Sequence, residues 1–204
     1  FEYVLVVCRS LLDLLQAIIA RLWERVKLFD TVMRKCILPR SFREVVLKKD
    51  GQPQSAEAVA TKYGLPEPFA QFYGRHASFF LKLRSTRDAI VHRGTRYFPI
   101  FRTERGFAVA AGEQPFSELV AWDETELAPN KLGSLRFLVA HLVLGTFGVC
   151  EEFASVMART LRLPSDIAPG YHVFIRGYYT QQLRRLELVC ARPWERFVSD
   201  ATIK

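Results

Sequence analysis

With 204 residues, half of them hydrophobic and a quarter charged, the chain is long enough to bury one sizeable core, and a single domain over 1–204 is expected. The formal net charge is +8 and the pI near 9.5, most of it from arginine, whose planar fork suits phosphate, so polyanionic partners gain weight. Cys8, Cys36, Cys150 and Cys190 are scattered with no C-x-x-C pair, which argues against a zinc site or a dense disulfide framework and makes a reducing cytosol the expectation.

Uninterrupted apolar runs, such as LVAHLVLGTFGVC, fall short of the roughly 20 residues that a membrane span needs. A soluble, cytoplasmic protein with no membrane partner is therefore expected. Residue 1 is Phe rather than Met, which leaves the natural start and any targeting segment open.

From Glu2 to about Leu28, the residues Val4, Val7, Leu11, Leu15, Ile18, Leu22 and Val26 recur at spacings of three and four and predict a long amphipathic helix. A basic, less periodic stretch follows and ends in turn residues at Asp50-Gly51. SAEAVATKYG reads as a short helix with Ser55 as N-cap and Gly64 as its stop. The next helix starts near Pro66 or Pro68 and ends at Gly94.

Two short runs, Tyr97–Phe101 and Phe107–Ala111, flank RTERG and predict a β-hairpin inserted over about 96–111. Helical spacing returns between Lys131 and Leu163, in Leu135, Leu138, Leu142, Val149, Phe153 and Val156. In the tail 164–204, HVFIRGYY favours a strand, whereas TQQLRRLELVCA fits helix and strand alike. No internal repeat, low-complexity segment or interdomain linker stands out. The expected fold is mainly α: an antiparallel helical bundle with an inserted β-hairpin and room for a short β element in the C-terminal tail.

LRSTRDAIVHRG, from Leu83 to Gly94, breaks the apolar pattern of its helix. With Phe69 at zero and about 100° per residue, Phe72, Tyr73, His76, Phe80 and Leu83 fall within about 60° of it, and Arg87 returns to about 0°. An arginine at the centre of an apolar face needs a carboxylate, a phosphate or open solvent, because an unpaired buried charge is strongly destabilising. Asp88 and His92 form an i, i+4 pair on a flank, close enough for the carboxylate to fix the imidazole and hold its proton. Arg87 and His92 stand about 140° apart, so convergence requires the arginine to reach across or a second motif helix from a two-fold dimer.

The plain alternative is a capping cluster, with a charged His92 favoured by the helix dipole. Against it stands the basic setting. Lys82, Arg84, Arg87, Arg93, Arg96, Arg102 and Arg105 face only Asp88 and Glu104, a field that attracts a phosphodiester chain.

RDAIVHRG at the end of a helix resembles the signature of HEPN domains, an arginine followed four to six residues later by histidine, with a polar residue directly after the arginine. Arg87, Asp88 and His92 occupy those positions, with apolar AIV between and Gly94 closing the helix. The likeness covers the motif closely and the long-helix architecture loosely; the hairpin and the tail after Pro164 have no counterpart. It implies a helical bundle that dimerises through its motif helices and a metal-independent endoribonuclease, often a toxin or another defence protein. Other members are non-catalytic modules that bind RNA, nucleotide or protein.

On this resemblance, His92 removes the proton of a ribose 2′-hydroxyl or protonates the leaving 5′-oxygen, and Arg87 stabilises charge on the phosphorus oxygens. Asp88 orients His92, while Arg84, Arg93, Arg96, Arg102 and Arg105 bind the RNA. The products would be a 2′,3′-cyclic phosphate and a 5′-hydroxyl, and DNA would resist cleavage. The implied partners are RNA, a second copy of the chain, and an antitoxin or nucleotidyltransferase.

GVCEEFASVMARTLRLPSDIAPGYH is similar to the nucleophile region of transglutaminase-like cysteine enzymes, with Cys150 as nucleophile, His172 as base and Asp200 as orienting carboxylate. His172 follows GY directly, however, and Cys150 falls inside the helical period, which favours a buried small hydrophobe. His76 lies on the aromatic stripe and reads as a satisfied core or interface residue; His141 is isolated. No pair of His, Asp or Glu has metal-ligand spacing and no glycine-rich loop precedes a helix, so neither metal nor cofactor is expected.

Overall fold

The computed structural model describes residues 1–28, 35–92, 98–162 and 179–195, with the backbone alone at 91, 92, 179 and 180. In chain order the elements are α1 (Glu2–Trp23), β1 (Lys27–Leu28), α2 (Phe42–Val46), α3 (Ala56–Tyr63) and α4 (Glu67–His92). There follow β2 (Phe101–Thr103), β3 (Gly106–Ala110), α5 (Phe116–Leu119), β4 (Leu132–Ser134), α6 (Leu135–Thr160), β5 (Leu161–Arg162) and α7 (Tyr179–Ala191). The described chain is mainly helical, as the periodicity predicts, with short antiparallel strands. Its contacts gather into two compact units, Phe1–Arg93 with Gly145–Val173, and Gly94–Leu144 with Phe174–Lys204.

In the first unit α1 is shorter than expected and buries a different face. Its buried positions are Leu5, Cys8, Leu12, Gln16, Ile19 and Trp23, whereas Val7 and Ile18 of the expected stripe are exposed. The helix is apolar around most of its circumference, so period alone fits two faces a residue apart. A polar network decides between them. Gln16 is fully buried because its Nε2 donates to the Pro39 carbonyl at 2.7 Å and its Oε1 accepts from the Tyr73 hydroxyl at 2.6 Å. Beyond Trp23 the chain extends, and β1 pairs antiparallel with β5.

The short helix α2 is anchored by Asp13, whose Oδ1 accepts from the Phe42 amide at 3.0 Å. The two ends of α3 match the sequence: Ser55 accepts from the Ala58 amide at 3.2 Å, and Gly64 adopts φ 62°, a left-handed cap that favours glycine. Helix α4 forms the aromatic spine. Its Phe69, Phe72, Tyr73 and Phe80 are fully buried. Phe42 packs against Phe72, Tyr73 and Phe80, Trp23 meets Phe69 edge-on, and Phe153 of α6 reaches Phe69 and Phe72.

In the second unit β2 and β3 form a hairpin where one is expected, with Phe101 opposite Ala108 and Arg102 opposite Phe107. Its first strand lies at Phe101–Thr103 rather than Tyr97–Phe101, and the turn is correspondingly tighter than RTERG. Gly106 at φ 133° makes the turn. A third strand, β4, pairs with β3 through Val109 and Gly133 and was not legible in LGS. Gly133 lies under the Trp122 ring, where an added Cβ would come within 2.6 Å of Cε3. The Trp122 indole in turn donates to the Phe116 carbonyl at 3.1 Å.

Of the tail, TQQLRRLELVCA belongs to helix α7, while most of HVFIRGYY lies outside the described residues. Judged over 18-residue windows rather than uninterrupted runs, α1 and α6 are long and apolar enough to cross a membrane, with window mean hydropathy 1.8 and 1.5. This corrects the reading of the runs. A buried core helix passes the same test, and both helices contribute residues to the core.

Candidate nucleic-acid interface at the end of helix α4

Helix α4 stays continuous through His92, so Arg87 and His92 are separated by about 7.5 Å along the axis and about 140° around it. Two residues anchor the last turns, Leu83 at 0 % and Thr86 at 1 % exposure. They sit at about 320° and 260° on the idealised wheel, so the contact face has turned away from Arg87. Arg87 therefore lies at the margin of the stripe and not at its centre, its side chain 29 % exposed.

The carboxylate of Asp88 holds both neighbouring arginines. Its Oδ1 accepts from Arg87 Nη1 at 2.9 Å, and its Oδ2 lies 3.4 Å from Arg84 Nε one turn earlier. All three side chains are only partly covered, so the cluster reaches solvent with one net positive charge. Beside it, the Thr86 hydroxyl is buried without a hydrogen-bond partner among the described residues, a feature that sequence inspection missed. An unmet buried hydroxyl costs about 1–3 kcal/mol. The one available signal was a threonine on the inner face of a helix.

For His92 the backbone alone is described; Arg93 and Arg96 lie outside the described residues. Arg102 and Arg105 belong to the other compact unit. Both are exposed on or beside the hairpin, and the Arg105 guanidinium lies 4.8 Å over the Trp194 ring.

His76 sits in a structural ion-pair cluster. Its Nε2 is 2.7 Å from Glu152 Oε2, and Arg75 Nε donates to Glu152 Oε1 at 3.0 Å. Burial would raise the Glu152 carboxyl, but hydrogen bonds and charge from Arg75 and His76 outweigh it and hold that carboxyl below its ordinary value. The His76 ring also packs on Phe72 at 4.9 Å.

Cys150 lies well inside α6, away from any helix N-terminus, and burial pushes its thiol up, against formation of a thiolate nucleophile. His172 and Asp200, the other two members of that arrangement, lie outside the described residues. Among the described residues no group of three or more His, Cys, Asp or Glu side chains gathers as a metal site would require. No family model, curated protein or solved structure matches the chain.

Proposed function

We propose that the chain is a HEPN-like protein acting on RNA, with its site at the end of α4 and Arg87, Asp88 and His92 as its working residues. The observation that carries this reading is Arg87, a guanidinium held in place by Asp88 yet open to solvent on a helix that is described as far as His92. A phosphodiester oxygen approaching that fork meets a pre-oriented donor, the arrangement that stabilises charge developing on phosphorus. His92 acts as general base toward the 2′-hydroxyl or as acid toward the 5′-oxygen.

Two copies of the chain bring two such helices to one cleft, and Arg84, Arg93, Arg96, Arg102 and Arg105 supply further phosphate contacts. A cytoplasmic toxin or defence role with an antitoxin or nucleotidyltransferase partner goes with the same reading. One observation favours a second reading, RNA binding without cleavage: Asp88 is engaged by Arg84 and Arg87, which leaves it less free to orient an imidazole.

Incubation with RNA in EDTA tests the proposal. Cleavage that survives chelation, spares DNA, leaves 2′,3′-cyclic phosphate ends and vanishes in His92→Ala supports the nuclease. Tight, salt-sensitive binding without products supports the second reading. Absence of both binding and cleavage rejects the two together.

A further inference from the structure

Within the second unit, the turn of the β2–β3 hairpin, the first turns of α6, and α7 with the residues after it enclose a half-open groove of about 680 Å³. That volume falls in the range of small-molecule pockets, roughly 300–1,000 Å³. The walls are apolar, built by Val139 of α6 and by Leu186 and Val189 of α7. Three arginines are among the lining residues, Arg105, Arg136 and Arg185, of which Arg136 already donates from Nη1 to the Glu195 carbonyl at 2.8 Å.

Arg185 meets no carboxylate among the described residues, and Arg105 rests on the Trp194 face. The acid at the rim, Glu195, is paired with Arg192 at 3.2 Å. The far wall is fixed before any ligand arrives. The Trp194 indole donates to the Glu126 carbonyl at 2.6 Å, and the buried Ser134 hydroxyl donates to the Pro193 carbonyl at 2.9 Å. A wall already ordered reduces the entropy lost on binding.

The geometry points to a binding site for a small amphipathic anion, a carboxylate or phosphate head on an aliphatic or aromatic body. An apolar body alone would leave Arg185 unused, and an inorganic anion alone would leave the walls wet. Their combination in one fixed groove selects for both features at once. The inference uses none of the α4 residues and shares only Arg105 with the RNA reading, so its test rests on Arg185 and Val139.

Isothermal titration with decanoate, decanol and acetate tests it. Expected is saturable one-to-one binding of decanoate, with decanol and acetate weaker by about tenfold or more. Arg185→Gln, at an exposed position, should lower decanoate affinity by about tenfold and leave decanol unchanged. Val139→Trp should fill the groove and abolish decanoate binding. Equal affinity for decanol and decanoate, equal affinity for acetate, or decanoate binding untouched by Arg185→Gln would overturn the assignment. So would displacement of decanoate by a single-stranded oligouridylate, which would reassign the groove to nucleic acid.

Discussion

Arg87 and Asp88, neighbours in sequence, meet side chain to side chain at 2.9 Å, and the same carboxylate reaches back to Arg84. The arginine that breaks the apolar stripe is thus neutralised within its own helix while its outer surface stays open. Removing the carboxylate should free two cations. Asp88→Asn is expected to strengthen RNA binding and to steepen its salt dependence, by about one unit of slope for each further phosphate that an arginine neutralises. Fluorescence anisotropy between low and moderate salt measures it; an unchanged slope would show that neither arginine meets phosphate.

Arg87→Ala separates chemistry from architecture. A partly exposed ion pair contributes about 0–1 kcal/mol, so unfolding free energy should change little. Removal of a donor to a developing oxyanion lowers turnover by about 100- to 1,000-fold. Cleavage kinetics beside urea unfolding distinguish the two, and a stability loss well beyond that range would make the arginine a structural residue.

Glu152 gives the stability curve a defined sign. Its carboxyl is held below the ordinary value by Arg75 and His76 against the pull of burial, so its contribution is present above the unfolded-state pKa and is lost as pH falls through the folded one. Glu152→Gln should destabilise by about 0.5–1 kcal/mol at neutral pH, discounted for the exposure of the pair. The gap from the wild type should close in acid, as measured by melting temperature across pH 7 to 3, about the carboxylate range.

Tyr73→Phe removes the hydroxyl that satisfies Gln16 in the core. The stranded Gln16 oxygen should cost about 1–3 kcal/mol in chemical denaturation. Replacing both, as Tyr73→Phe with Gln16→Leu, should recover only part of that loss, because it removes the stranded oxygen but leaves the Pro39 carbonyl without its Gln16 donor.

Gly133→Ala tests how tightly the second unit is packed. A Cβ would meet the Trp122 ring below contact distance, so either β4 shifts or the indole leaves its bond to Phe116. Overpacking of this kind costs about 1–3 kcal/mol. Near-ultraviolet circular dichroism should report the displaced tryptophan, and an unaltered spectrum with unaltered stability would show a looser sheet.

Much of the helical framework is legible in the residues alone. Ser55 and Gly64 bracket α3 because a hydroxyl acceptor and a left-handed cap are local requirements. The hairpin is legible in its second run and its glycine turn, whereas its first strand falls at Phe101–Thr103, after the run from Tyr97 to Phe101. The buried face of α1 is misread from period because nearly every side of that helix is apolar, and the choice falls to Gln16 with its partners on Tyr73 and Pro39, which are distant in sequence. Strands of two or three residues, such as β1, β4 and β5, carry too few positions for alternation to show.

The site divides in the same way. Sequence alone determined that Arg87, Asp88 and His92 share one helix in a basic stretch, because helical spacing and charge are properties of consecutive residues. Tertiary packing decided that Arg87 sits at the margin of the buried face, since Leu83 and Thr86, and not the ideal wheel, set which side meets the core. It also decided that Arg105 lies over Trp194 and that Arg185 rims an apolar groove. Those relationships join residues tens of positions apart, and only the folded chain brings them within reach.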